Sequence, residues 1–185
     1  TRFYSLKVIN LAYNSIGKVS EIDENVFHHL TRLEVIDLSD NQLEVIPSAA
    51  LYQLVNLKKL FLDYNKIDQI TEDDLNCISK LDELSMTFNL LRSVPDIFSR
   101  KLPNLHLLNL HGNKIEVVSS DSLSSISDNL LGLDLGFNDL TDIPKLSFPK
   151  MMILNLAMNQ LTSLGTDITV FDELASLRHL NISYN

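Results

Sequence analysis

Leu57, Leu60 and Leu62 precede Asn65, and Ile67 follows it. The same arrangement leads to Asn41 through Leu33, Ile36 and Leu38, and to Asn89 through Leu81, Leu84 and Met86. The steps Asn41 to Asn65 and Asn65 to Asn89 are both 24 residues. Self-similarity at a fixed period in this range marks a solenoid of stacked turns, because one turn cannot bury its own apolar face. A chain built this way offers a broad surface before it offers a pocket.

The pattern extends in both directions. Equivalent asparagines are Asn14, Asn41, Asn65, Asn89, Asn113, Asn138, Asn159 and Asn185, which number the repeats one to eight. Two further apolar columns accompany them. One holds Val19, Ile46, Ile70, Val94, Val118, Ile143 and Leu164; the other holds Phe3, Leu30, Leu54, Ile78, Leu102, Ile126, Phe148 and Leu174. In each xLxLx run the leucines point one way and the intervening residues the other, as in a short strand. The expected fold is therefore α/β: a right-handed horseshoe with a concave parallel sheet and short helical, 3₁₀ or extended returns on the convex side. The asparagine slot sits where the backbone turns inward. An amide side chain supplies donors and an acceptor there, so an internal asparagine ladder is expected.

These residues carry a family resemblance. The chain resembles the leucine-rich repeat family over its whole length. The 24-residue repeats, with Pro47 or Pro95 after the second column and Phe27 or Leu51 before the next, resemble its typical class. Stretches such as Leu133-Asp-Leu-Gly-Phe-Asn138 resemble chaoptin-like and Toll-like ectodomains. The resemblance implies protein or glycan recognition, no enzymatic activity and no cofactor. Residues 1–185 read as a single array of about eight repeats, the last truncated and both caps missing, within a larger protein.

Spacing departs from the period by two residues or more in three places. Asn14 to Asn41 is 27 residues, Asn138 to Asn159 is 21, and Asn159 to Asn185 is 26. Pro144 and Pro149 lie in the short repeat, where they restrict helix; an extended return and a local change of curvature are expected. The return from Gly165 to Phe171 should bulge from the convex side.

Charge and composition narrow the function classes. The net charge of −9 argues against nucleic acid and against an anionic membrane surface, both of which demand clustered Lys and Arg. No run approaches the roughly 18 apolar residues of a membrane span, so direct insertion by this chain is not expected. The single cysteine, Cys77, excludes an internal disulfide and reads as a packing thiol. His28, His29, His106, His111 and His179 form no zinc motif, and no nucleophile elbow or phosphate loop is present. His106 and His111 are close in sequence but lack further ligands at zinc spacing. The acidic pairs Asp73-Asp74 and Asp82-Glu83 read as solvated repeat positions. Neither a metal site nor catalysis is expected.

Recognition is assigned to the concave face. Its outward slots in repeats two to four include Glu34, Val35, Asp37, Lys58, Lys59, Phe61, Asp63, Asp82, Glu83 and Ser85. Phe61 stands where most repeats carry Asn, Asp or Ser, beside two lysines, and is expected to be exposed, either as an anchor for a partner or as a lone surface aromatic. Lys59, Phe61, Asp63, Tyr64 and Phe88 are the candidate ligand-binding residues. An aromatic column precedes the ladder at Tyr13, Tyr64, Phe88, Phe137 and Tyr184, with packing between repeats as its first explanation. The sequon Asn181-Ile-Ser183 makes Asn181 a glycosylation candidate that would block one end of the concave face. The expected function is protein recognition within an extracellular or cell-surface receptor or adhesion ectodomain, with a basic protein partner or a homophilic contact. The competing reading is a cytoplasmic scaffold regulating an enzyme or GTPase.

Overall fold

A computed structural model describes residues 3–17, 22–76, 78–95, 98, 102–119, 122–123, 126, 128–162 and 171–185. Eight three-residue strands form one parallel sheet in chain order. They are β1 (Val8–Asn10), β2 (Val35–Asp37), β3 (Lys59–Phe61), β4 (Glu83–Ser85), β5 (Leu107–Asn109), β6 (Gly132–Asp134), β7 (Ile153–Asn155) and β8 (His179–Asn181). Ile36, Leu60, Leu84, Leu108, Leu133 and Leu154 occupy the same central register position and are all buried. The sheet is thus the repeat made physical: each step along the sequence adds one strand beside the last.

Behind the sheet lies one continuous core. Its columns include Leu38, Leu62, Met86, Leu110, Leu135 and Leu156, and then Leu43, Ile67, Leu91, Ile115, Leu140 and Leu161. Ile46, Ile70, Val94 and Val118 are buried as expected, and Ile143 packs partly against them. Val19, Leu164 and Cys77 lie outside the described residues, as do residues 165–170 of the long return. Phe3 departs from its column by being exposed at the outer side of the first repeat. A convex column unites Phe27, Leu51, Leu75, Phe98, Leu123 and Leu146, all buried.

Returns are short because little chain remains after the strand and the turn. Among the described residues the helical segments are α1 (Ser48–Leu51) and α2 (Glu72–Asn76). At α2 the buried Asp74 reaches back, and its Oδ2 accepts from both the N–H and the hydroxyl of Thr71, each at 2.7 Å. This satisfies donors just before the first turn. Asp74 is therefore not the solvated position that the sequence suggested. The short repeat has no helix between residues 141 and 148, and Leu146 and Phe148 still reach the core. The extended return expected from Pro144 and Pro149 is what the fold shows.

The asparagines tie the turns together. Asn65 Nδ2 donates to the carbonyls of Leu38, Leu62 and Asp63 at 3.0, 3.1 and 3.2 Å, and its Oδ1 accepts from Leu43 N–H at 2.9 Å. Asn41, Asn89, Asn113, Asn138 and Asn159 repeat this bridge to the preceding turn and are likewise buried. Asn14 and Asn185, in the end repeats, are exposed. One residue earlier, Tyr13, Asp40, Tyr64, Phe88, Phe137, Met158 and Tyr184 all have φ between 50° and 58°. All but Tyr184, in the last repeat, donate their N–H to the next repeat, as Tyr64 does to Thr87 O at 2.8 Å, so backbone pairing continues beyond the strands.

Candidate interaction surface

Two kinds of outward position flank each inward leucine. On the N-terminal half the charged residues of these rows are already paired, with Val8 and Val35 beside them. Glu34 bridges Lys7 at 2.6 Å and Lys58 at 2.8 Å; Lys59 pairs with Glu83 at 2.7 Å. His106 Nδ1 meets Asp82 Oδ1 at 2.5 Å. The two lysine ammonium groups hold the Glu34 carboxyl down at about 2, and Glu83 raises the Lys59 ammonium above its usual range. Cross-strand pairing of this kind neutralises the charges where they stand. Lys59 is thus committed to a neighbour and is no isolated cation.

Phe61 shares the outward register of Asp37 and Ser85, as alternation requires. It is half-buried, which corrects the expectation of an exposed anchor. Ser85, also expected outside, is only 7% exposed. Ser85 is drawn in by its bond to Asp63, within a second hydrogen-bonded row on this face. Four residues before each ladder asparagine, Asn10, Asp37, Asn109, Asp134, Asn155 and Asn181 each accept the N–H of the residue two further on. These Asx turns end the strand. Phe61 has no acceptor for that bond, and Ser85 turns its hydroxyl to Asp63 instead. Asp63 then closes the turn after Ser85: its Oδ1 accepts Ser85 Oγ at 2.5 Å and Thr87 N–H at 2.6 Å. The signal was present as a fixed four-residue offset to the ladder.

The C-terminal half of the sheet is different. Leu107, 41% exposed, and Ile153, 49% exposed, flank Gly132 in one register row. Leu131 and Met152, half-buried, occupy the slots just before. A Cβ at Gly132 would stand 2.9 Å from Leu107 Cδ2, so the leucine lies across the glycine toward Ile153. An apolar patch thus forms on the concave side of repeats five to seven. The sequence signal lies in the slot before the strand, where Leu131 and Met152 replace Lys7, Glu34, Lys58, Asp82 and His106; the row of Leu107 and Ile153 is apolar at Val8 and Val35 as well.

Tyr64 and Phe88 lie three residues beyond their strands. They belong to the edge of the sheet, not to the concave face where they were expected. Their rings stack with centroids 4.6 Å apart. His111 bonds Asp134 at 3.3 Å and His106 is held by Asp82, so the two histidines serve separate carboxylates. Asn181 is exposed on β8, and its Oδ1 accepts from Ser183 N–H and Oγ at 3.1 and 2.8 Å. Among the described residues no cluster of His, Cys, Asp and Glu could hold a metal, and no helix is long and apolar enough to cross a membrane.

Comparison with known proteins agrees with this architecture. A leucine-rich repeat model matches residues 1–43 and 31–91. The structure of a TLR13–ssRNA13 complex superposes with a TM-score of 0.74 at 24% identity, covering 96% of this chain and 29% of that one. An internalin, InlF, from Listeria monocytogenes superposes with a TM-score of 0.75 at 23% identity, covering 98% and 49% respectively. The chain thus spans less than a third of one neighbour and about half of the other. A comparison of the sequence with curated proteins gives no match. The repeat, its ladder and the matching model place this chain in the leucine-rich repeat family. One of the two neighbours is bound to RNA, so the fold itself does not support the expectation against nucleic acid.

Proposed function

We propose that this chain is the protein-recognition part of an extracellular receptor or adhesion protein and that it binds through its concave face. The observation that carries the reading is the apolar patch of Leu107, Leu131, Met152 and Ile153 around Gly132. Exposed apolar area bordered by polar groups is what a partner desolvates, and the rigid sheet beneath it needs no ordering on binding. Paired charges at Glu34, Lys58, Lys59 and Glu83 form a polar flank that sets register more than affinity. Phe61 lies beside that flank as a half-buried contact. No step of this reading uses catalysis, a metal or a cofactor.

Expression of the parent at the cell surface, with proximity labelling of its neighbours, tests the reading. Ile153→Asp should abolish labelling of the partner, and Phe61→Ala should reduce it less. Undiminished labelling with Ile153→Asp would move the site off the concave face. Passage through the secretory pathway should add a glycan at Asn181, seen as a mass shift that Asn181→Gln removes. Retention in the cytoplasm would favour the scaffold reading.

A further inference from the structure

The rings just before the ladder form a continuous shelf along the edge of the sheet. Tyr64 stacks on Phe88. Phe88 meets His111 edge-on at 5.4 Å, and His111 stacks on Phe137 at 6.0 Å with the planes 21° apart. In the fifth repeat the slot holds Gly112, and a Cβ there would stand 2.6 Å from the Phe88 ring. The missing side chain lets Phe88 lean across toward Phe137, 6.0 Å away. Packing between repeats accounts for the ring contacts. It does not account for the water-facing sides of Tyr64 and Phe137, each 51% exposed. Nor does it account for aromatic residues at positive φ, where Asp40 and Gly112 show that residues suited to that conformation fit the same turn.

Charge selects the occupant. Asp63 and Asp134 lie at the foot of the shelf, and among the described residues neither has a Lys or Arg partner. Their bonds come from Ser85, Thr87, Gly136, Asn155 and His111. Lys66 and Lys114 follow two residues after the Tyr64 and Gly112 slots and oppose a cation near their own ammonium groups. Beyond Phe137 the short repeat opens a cleft of about 760 Å³ between repeats five and six, walled by Val117, Ile143 and Pro144. Glu116, Asp139 and Asp142 stand around it, with Lys145 as its one cation among the described residues. Aliphatic walls beneath carboxylates suit a long basic side chain, with its stem on the walls and its charge at the rim.

We propose that this aromatic edge is a second docking surface, distinct from the concave patch, and that it takes an arginine-bearing segment of a partner protein. A guanidinium is planar, stacks on ring faces and forks onto a carboxylate, which a lysine ammonium does less well. Phosphates would instead meet Asp63, Asp134 and Asp139.

The test uses the 185-residue chain and a short fluorescein-labelled peptide of alternating glycine and arginine, followed by anisotropy at physiological ionic strength. Saturable binding is expected, weaker for the lysine counterpart. The combined variant Tyr64→Asn, Phe88→Asn and Phe137→Asn should lose about tenfold in affinity. Asparagine tolerates positive φ, so the turns remain, as a thermal melt would verify. Should the combined variant unfold, Tyr64→Asn alone must still weaken binding measurably. Ile153→Asp should leave peptide binding unchanged, which separates this surface from the concave one. Equal affinity in the folded ring variants, or equal loss with Ile153→Asp, overturns the proposal. So does preference for a mixed-sequence single-stranded RNA over the arginine peptide.

Discussion

Asn65 shows how much one side chain does in a stacked turn. It satisfies three carbonyls and one N–H across two repeats, all away from water. Asn65→Ala should cost about 1–3 kcal/mol, the scale of leaving buried backbone groups unpaired. Lys66→Ala, one residue on and exposed, should fall within about 0.5 kcal/mol. Urea midpoints of the two variants decide it, and coincident curves would contradict the role of the ladder. Glu34 offers a test by titration. Its carboxyl is held at about 2 by Lys58 and Lys7 in the folded protein, below its ordinary value of 4.5. A depressed carboxylate contributes stability that is present above the unfolded value and is lost as pH falls through the folded one. The contribution of this triad should therefore fade between pH 4.5 and about 2. Carboxyl carbon NMR should place the Glu34 midpoint there, and Lys58→Ala should move it upward.

The strand is the element whose rules were easiest to read. All eight strands fall on the xLx core of their repeat, because alternation leaves one choice of inward residue. Leu62→Ala should accordingly cost roughly 2–5 kcal/mol in a thermal melt, since Leu62 is fully buried. The row of Asx turns was harder to recognise. An aspartate in an outward slot looks like solvent-facing variation, and only its bond to the N–H two residues later gives it a structural role. Asp134 illustrates this, accepting from Gly136 N–H, Asn155 and His111. Asp134→Ala should destabilise by about 1–2 kcal/mol, whereas Phe61→Asn should be neutral or stabilising because it restores the missing turn acceptor. A clear loss with Phe61→Asn would mean that the half-buried ring contributes more than the turn. The apolar patch is legible at Leu131 and Met152, against the polar residues in the same slot of repeats one to five; Leu107 and Ile153 share their row with Val8 and Val35 and give no such contrast. The aromatic edge was legible as a column and not as a shelf, because positive φ at seven non-glycine residues redirects side chains in a way that spacing does not show.

At the scale of the molecule, each strand pairs with the strands of neighbouring turns, so stability is close to a sum over adjacent repeats. The outermost turns have a neighbour on one side. Phe3, Val8 and Leu180 are exposed there, and β8 is exposed along its whole length. The 185-residue chain should therefore associate end to end at raised concentration, which light scattering would register as a growing apparent mass. A monodisperse solution across that range would show that the end turns shield themselves. One backbone feature has a chemical consequence of its own. Every turn passes through a single residue whose torsion is the one that mirror-image amino acids prefer. A chain assembled by chemical ligation with D-tyrosine at position 64 should hold that turn with less strain than the natural enantiomer, while pointing its ring away from Phe88. Handedness at one atom would thus separate what the fold requires of that position from what the surface does with it.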